Sequence, residues 1–348
     1  MDKKIIYVLH EYGANSHYNA LVALAKKNGY KVAFRRFTLV RQFKNSIKKQ
    51  YSWKDFFLDI YFFLCLPFMK GCKIVLGIAP FNSQLVWLIK ILRKQEVYYH
   101  TSYTHWDGTI MAHPTKSKAV LSTWRFFTSK FVKHIFVVSE KTKDELVLNK
   151  FAHSIDISVV KHSFNVPIEP NVSRRKTNTF IFVGRIVKEK GIEELLDYFS
   201  QNKNASLIIV GDGKLVNKVV EYARKYNNIK YLGYCNTLNK LIPLYHSASF
   251  VLMNSHRTKV WEELFGIALI EGMACGCIPI ATDHPGPLEI ITNGVNGFIC
   301  KEGDIKSAIK KAIDMSDEQY KLMSESAFCV GQSYYCYNMA SKWSAILN

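Results

Sequence analysis

A repeated alternation of short apolar runs with amphipathic stretches constrains this chain more than any other feature. In residues 1–166, KIIYVLH, YKVAFRRF, KIVLGIAP, EVYYHTSY and HIFVVSE read as strands. SHYNALVALAKKNG carries apolar residues at helical spacing and closes on a glycine, and KTKDELVLNKF follows the last strand as a second helix. The rhythm then restarts with TFIFVGR, ASLIIVGDG, NIKYLGY, SFVLMNS and IPIATD as strands, and GIEELLDYFSQ and KLVNKVVEYARKY as helices. Strands alternating with helices predict a parallel, doubly wound α/β sheet in each half. FNVPIEPNVSRRKTN between the halves has two prolines and little periodicity, so it reads as a linker. The expected plan is a Rossmann-like domain over 1–166, another over 167–330, and a C-terminal helix at 331–348 packing back on the first. Two such domains would face each other across a cleft, with ligands held by the loops that follow strands.

At 348 residues, each half is long enough to bury its own core. The opening run of MDKKIIYVLHEYG is too short for a secretory signal and leads into Gly13, so it reads as a first strand. Eight cysteines with no CxxC pair, two of them in an apolar stretch at Cys275 and Cys277, point to reduced thiols in a cytoplasmic protein rather than to zinc. The net charge of +19 is lopsided: residues 1–166 hold 26 Lys/Arg against 10 Asp/Glu, and residues 167–348 hold 21 against 18. A basic first half needs an anionic partner, either nucleic acid or an acidic membrane surface.

Two loops of the second half carry chemistry. FVGRIVKEKG, residues 182–191, sets Gly184, Arg185, Lys188 and Lys190 between a strand and a helix, where free N–H groups and cations suit a diphosphate. The bland alternative is a solvated basic loop. WEELFGIALIEGMACG puts Gly266 at a helix start, with Glu263 before it and Glu271 about two turns inside. A carboxylate at each end of so apolar a segment is costly unless it meets hydrogen-bond donors, and sugar hydroxyls would serve. Ordinary capping or ion-paired glutamates fit the spacing equally well.

VGRIVKEKGIEELL, followed by WEELFGIALIEGMACGCIPIATDHPGPLEIITNGVNGFI, resembles the C-terminal domain of the retaining GT-B glycosyltransferases of family 4, over about residues 178–300. The resemblance implies the GT-B fold, an E-x7-E pair at Glu263 and Glu271, and phosphate binding by Arg185 and Lys190. By the same resemblance Glu271 binds ribose, Glu263 lies at the donor sugar, the Gly266–Ile267 backbone meets the phosphates, and Gly233 and Tyr234 frame the nucleobase. In the first half, where the family usually has a glycine pair, EYGANS offers only Gly13 for the donor. The family also places a His-containing motif after the fourth strand, and HTSYTHWDG makes His105 the first catalytic candidate and Asp107 the second; a lone His is more often structural.

Arg35, Arg36, Arg41, Lys44, Lys48, Lys49 and Lys54 precede the apolar run FFLDIYFFLCLPFM. That run is too short to span a bilayer, leaving a core helix or an interfacial helix on anionic lipid. The resulting expectation is a cytoplasmic enzyme at the inner face of a membrane, acting in bacterial surface polysaccharide synthesis. It would move a sugar from a nucleotide-diphosphate donor, UDP favoured over GDP, to a lipid-linked glycan acceptor with retention, residues 1–166 binding the acceptor and residues 167–330 the nucleotide sugar. No DxD-like pair marks a metal, because the aspartates of GDG and TDHPG stand alone, so no cofactor or metal is expected. A sugar-nucleotide epimerase or hydrolase of similar architecture is the alternative enzyme. A nucleic-acid-binding protein is the non-enzymatic one, though the basic charge lies beside an aromatic helix rather than in a nucleic-acid module.

Overall fold

The structure is a computed structural model that describes residues 4–11, 13, 15–108, 113–153, 156–169 and 176–348. Residues 170–175 of the expected linker lie outside the described residues. The chain divides into two units, one of Met1–Ser163 with Cys336–Asn348 and one of Phe164–Tyr335.

The first unit holds β1 (Lys4–His10), β2 (Tyr30–Arg36), β3 (Lys73–Gly77), β4 (Glu96–Thr101), β5 (His134–Val137) and β6 (Ile157–Val159). They form one parallel sheet in the order β2-β1-β3-β4-β5-β6. The chain direction across the sheet reverses between β1 and β3, the position where open α/β sheets bind ligands. β3, β4 and β5 are buried on both faces, which explains their unbroken apolar runs. Trp124, Tyr99, Phe127, Trp106 and Phe81 pack edge-on or tilted against one another over one face.

The second unit holds β7 (Thr179–Val183), β8 (Ser206–Val210), β9 (Ile229–Tyr231), β10 (Phe250–Met253), β11 (Ile278–Thr282) and β12 (Phe298–Cys300). Its parallel sheet runs β12-β11-β10-β7-β8-β9, with the reversal between β7 and β10. Two Rossmann-like doubly wound domains result. All eight cysteines are free thiols; Cys275, Cys277 and Cys336 are buried, whereas Cys329 is exposed.

Three differences from the sequence reading have physical causes. The first helix starts at Asn19 behind a 3-10 turn (Asn15–Tyr18), and its C-cap is Asn28 rather than Gly29. Phe164, placed in the linker, is buried and bridges to Tyr335, so apolar burial holds this end of it. The C-terminal segment assigned to the first unit begins at Cys336, not 331, because the capping box at Ser316 and Gln319 launches a 17-residue helix, Asp317–Ser333, that stays in the second unit. Trp343 then buries against Phe136, His100 and Tyr18.

The basic run folds as a helix, Leu39–Ile47, followed by Trp53–Cys65. The second helix has two faces. Phe56, Asp59 and Phe62 point inward, and Asp59 accepts bonds from the Tyr51 hydroxyl (2.8 Å) and the Arg36 N–H (3.2 Å). Phe57, Tyr61 and Leu64 point out at 60–67% exposure, and Phe68 beyond them reaches 86%. Among the described residues, no helix is long and apolar enough to cross a membrane.

Candidate functional site

At the C-terminal end of β7 the chain turns through Gly184 and Arg185 into a 3-10 turn, Lys188–Lys190. Gly191 (φ 60°) then starts the helix Ile192–Gln201; a Cβ there would meet the Asn254 carbonyl oxygen, so only glycine fits. Arg185 is exposed, with its guanidinium 6.0 Å from the Trp261 ring, and Lys190 Nζ lies 4.9 Å from the same ring. Trp261 therefore holds both cations beside one aromatic surface.

The carboxylates at the ends of LFGIALI have protein partners. Glu263 Oε2 is paired with Lys190 Nζ and accepts a bond from the Ser255 hydroxyl at 3.1 Å. Its N–H donates to His284 Nδ1 (3.0 Å), so Nε2 carries the imidazole proton and faces the Ser255 carbonyl at 2.8 Å. Burial keeps His284 neutral by lowering its pKa, which matches that arrangement. Glu271 lies on the helix Ile267–Ala274 and accepts a bond from the buried Tyr245 hydroxyl at 3.2 Å. Desolvation raises its pKa to about 7, and the Tyr245 bond opposes that rise.

Gly266 caps this helix at φ 115°; a Cβ would press on Leu269 Cδ1 at 3.1 Å in a conformation L residues avoid. Its carbonyl accepts from the Leu269 N–H, which leaves the Ile267 end of the helix as a positive pole. Gly233 lies in the loop after β9, accepting a bond from the Gly211 N–H at 2.9 Å, and Tyr234 beside it is 73% exposed. The structure thus gathers Arg185, Lys190, Glu263, Gly266, Ile267 and Glu271 on the loops and helix that follow β7 and β10, at the reversal of the sheet. Gly233 and Tyr234 stand after β9, two strands further along.

Sequence reasoning missed Tyr245, Ser255, Trp261 and His284, which hold those side chains. Trp261, two residues before Glu263, had a readable position; Tyr245 is 26 residues from Glu271 and offered no spacing signal.

In the first unit, a cavity of about 240 Å³ opens at the C-terminal ends of β1, β3 and β4, lined by His10, Glu11, His17, Gly77, His100 and Thr101 among others. The Gly13 N–H donates to His10 Nδ1 at 3.1 Å. His105 and Asp107 lie further along the loop after β4 and are not among the residues lining this cavity. Between them Trp106 is buried, and its indole N–H donates to the Tyr103 carbonyl (3.0 Å), which anchors the loop.

Residues 167–327 match the family of glycosyl transferases group 1. The second unit belongs to that family. Over 195 residues the chain is 27% identical to the capsular polysaccharide biosynthesis glycosyltransferase CapM of Staphylococcus aureus, covering 53% of this chain and 49% of CapM. Over 198 residues it is 26% identical to the amylovoran biosynthesis glycosyltransferase AmsD of Erwinia amylovora, covering 56% of this chain and 54% of AmsD. The matches thus span about half the length of these relatives. The crystal structure of Anabaena HepE in complex with UDP covers 99% of both chains with a TM-score of 0.71 at 16% identity. That likeness concerns the fold, and it places both units in the GT-B architecture.

Proposed function

We propose that this chain transfers a sugar from a nucleotide-diphosphate donor to a lipid-linked glycan acceptor, with retention and without a metal ion. One observation carries the reading: Arg185, Lys190, Glu263 and Glu271 stand at the sheet reversal of the second unit, each held by a named protein partner or aromatic surface. Lys190 is paired with Glu263. An arriving diphosphate would take over Lys190, with Arg185 adding a forked contact, and release Glu263 toward the sugar. The Gly266–Ile267 helix end adds its positive pole to the leaving diphosphate. Glu271 accepts the ribose hydroxyls, and Tyr234 serves as a surface for the base. In a retaining route of this kind the departing phosphate helps deprotonate the acceptor hydroxyl, with His105 and Asp107 as further candidates in the loop after β4. UDP is the favoured nucleotide, because HepE was crystallised with it. The relatives' names favour a surface polysaccharide as the product.

A thermal-shift screen of nucleotide sugars in excess EDTA tests this. A UDP-sugar at 100 times its Kd should stabilise the protein by about 2.7 kcal/mol. No shift with any nucleotide sugar, or a shift that needs added Mn²⁺ or Mg²⁺, rejects the proposal or its metal-free form.

The acceptor and the inner membrane face enter through the helix pair of the first unit. Phe57, Tyr61, Leu64 and Phe68 form an exposed apolar surface, and Arg41, Lys44, Lys48, Lys49 and Lys54 are exposed nearby in the chain. Arg36, by contrast, bonds Gln42 Oε1 (3.0 Å) and stacks on Tyr51, so it is committed inside the unit. Replacing Lys44, Lys48, Lys49 and Lys54 by Gln should weaken binding to phosphatidylserine vesicles by about 1 kcal/mol per charge. Phe57→Ser with Leu64→Ser should weaken it further, even at low salt. Unchanged vesicle co-sedimentation in both variants would remove the membrane from the account.

A further inference from the structure

Glu263 sits in a stretch that no regular structure holds. Between β10 and the helix Ile267–Ala274 the chain runs through residues 254–266 without helix or strand, and Val260 is 68% exposed. Backbone bonds tie this loop at three places. The His256 N–H donates to the Glu189 carbonyl (2.8 Å), the Thr258 N–H to the Trp261 carbonyl (2.9 Å), and the Gly286 N–H to the Glu263 carbonyl (3.3 Å). Much of its placement therefore falls to side chains, and several of these converge on one residue that the donor chemistry does not use.

That residue is Glu302, between β12 and the helix Ile305–Asp314. Both of its oxygens close on Arg257. Oε2 accepts the Arg257 main-chain N–H at 3.1 Å, and Oε1 accepts from the guanidinium Nη1 at 2.7 Å. The same Oε1 lies 3.2 Å from His284 Nε2. Two routes lead from Glu302 to Glu263. On the first, the carboxylate favours the proton on Nε2 of the fully buried His284, which leaves Nδ1 to accept the Glu263 N–H at 3.0 Å. That Nε2 also faces the Ser255 carbonyl (2.8 Å), and the Ser255 hydroxyl donates to Glu263 Oε2 (3.1 Å). On the second route, Arg257 Nε stands 3.7 Å from Glu262, the residue before Glu263. Arg257 further donates to Asp283 Oδ1 (3.4 Å) and to the Asp283 carbonyl, and the Asp283 N–H donates to the Cys300 carbonyl in β12 (2.9 Å). The loop is thereby fastened to the β11–β12 side of the unit.

The side chains of Arg257 and Glu302 are 41% and 26% exposed, and pairs so open to water add little to global stability. Their effect is on position, and a misplacement of about 1 Å near reacting atoms can cost roughly 10²-fold in rate. We propose that Glu302 is a positioning residue for Glu263, acting through His284 and Arg257. The assignment rests on the transferase reading, which puts Glu263 at the donor sugar and the nucleotide on other groups.

Glu302→Gln keeps the size but loses the charge and one acceptor oxygen, and Lys301→Ala beside it serves as control. Three measurements compare them with the wild type: deuterium exchange of residues 255–265, calorimetric affinity for UDP, and UDP release from UDP-glucose, UDP-galactose and UDP-N-acetylglucosamine. In Glu302→Gln, exchange over 255–265 should quicken at least fivefold while the helix 267–274 keeps its rate. The kcat should fall at least tenfold, with the Kd of UDP held within threefold and Tm nearly unchanged. Arg257→Gln should match it, and the double variant should lose no more kcat than either single, because the two residues form one brace. Lys301→Ala should behave as wild type. Unaltered exchange over 255–265, which is read without any substrate, would overturn the proposal. So would a kcat near that of the wild type, or a kcat loss matched by equal losses of UDP affinity and Tm. If UDP does not bind the wild type, the donor reading fails and the proposal falls with it; if UDP binds and only the Glu302 effects are missing, the positioning role alone is wrong.

Discussion

Lys190→Ala and Arg185→Ala should each lower sugar transfer by roughly 10²-fold or more, the usual consequence of removing a preorganised charge from a leaving group. Their stabilities should part company. Arg185 is exposed, with its guanidinium 6.0 Å from the centre of the Trp261 ring, so its loss should leave Tm nearly unchanged. Lys190 and Glu263 are each 13% exposed at the side chain, so removing Lys190 strands a largely buried carboxylate that keeps the bond from the Ser255 hydroxyl. An unsatisfied group of that kind costs about 1–3 kcal/mol. Adding Glu263→Gln to Lys190→Ala removes the stranded charge, so the double variant should regain Tm without regaining activity. Near-wild-type turnover in either single variant would contradict the diphosphate assignment. A double variant no more stable than Lys190→Ala would contradict the pairing.

The first unit should be sensitive to acid. The folded pKa of His10 and of His17 is about 4, against 6.5 for an unhindered imidazole. Between those values the unfolded chain binds more protons than the folded one, so stability rises with pH in that window. The contribution is complete above pH 6.5 and is lost as pH falls through about 4. At 1.36 kcal/mol per pKa unit, protonating either histidine inside the fold costs about 3 kcal/mol, a sizeable loss against the 5–15 kcal/mol of net stability typical of a domain. His100 and His162 act in the same direction. Five of the six tryptophans lie in the first unit, so their fluorescence reports its unfolding. The urea midpoint followed that way should drop steeply from pH 6.5 to 4.5, and His10→Gln with His17→Gln should flatten the drop. A midpoint constant over that range would show that the imidazoles are not held neutral.

The sheets were legible because buried parallel strands are continuous apolar runs, and ten of them stand out between glycines and charged turns. The two strands that were not read, Ile157–Val159 and Phe298–Cys300, are edge strands of three residues each; Ile229–Tyr231 is as short but lies inside the longer apolar run NIKYLGY. The loop Gly184–Lys190 and the segment Glu263–Glu271 could be read because each is local, with its chemistry inside ten residues. What holds them was not legible. Tyr245 reaches Glu271 from a different helix, and Lys190 meets Glu263 across 73 residues. The histidine cavity is more dispersed still, since His10 ends β1, His17 sits in a 3-10 turn, His100 is in β4 and His162 follows β6. Only the fold brings them together. The choice between core and interfacial helix for residues 53–65 was undecidable from sequence because the helix has one buried face and one exposed face.

Calorimetric titration of UDP tests whether a nucleotide diphosphate binds the second unit with its ribose on Glu271. The folded pKa of Glu271 is about 7, raised from 4.5 by burial, and ribose hydroxyls donate to the ionised form. UDP affinity should therefore rise as pH goes from 6 to 8, and binding at pH 6 should release a proton, seen by comparing buffers of different ionisation enthalpy. Glu271→Gln should bind about one to two powers of ten more weakly at pH 8, in line with the roughly 1.5–3 kcal/mol of charge-assisted bonds, and at pH 6 should release fewer protons than the wild type, keeping only those lost by the UDP phosphate. Equal affinity in wild type and Glu271→Gln, with the same proton release from both, would contradict the ribose contact at Glu271.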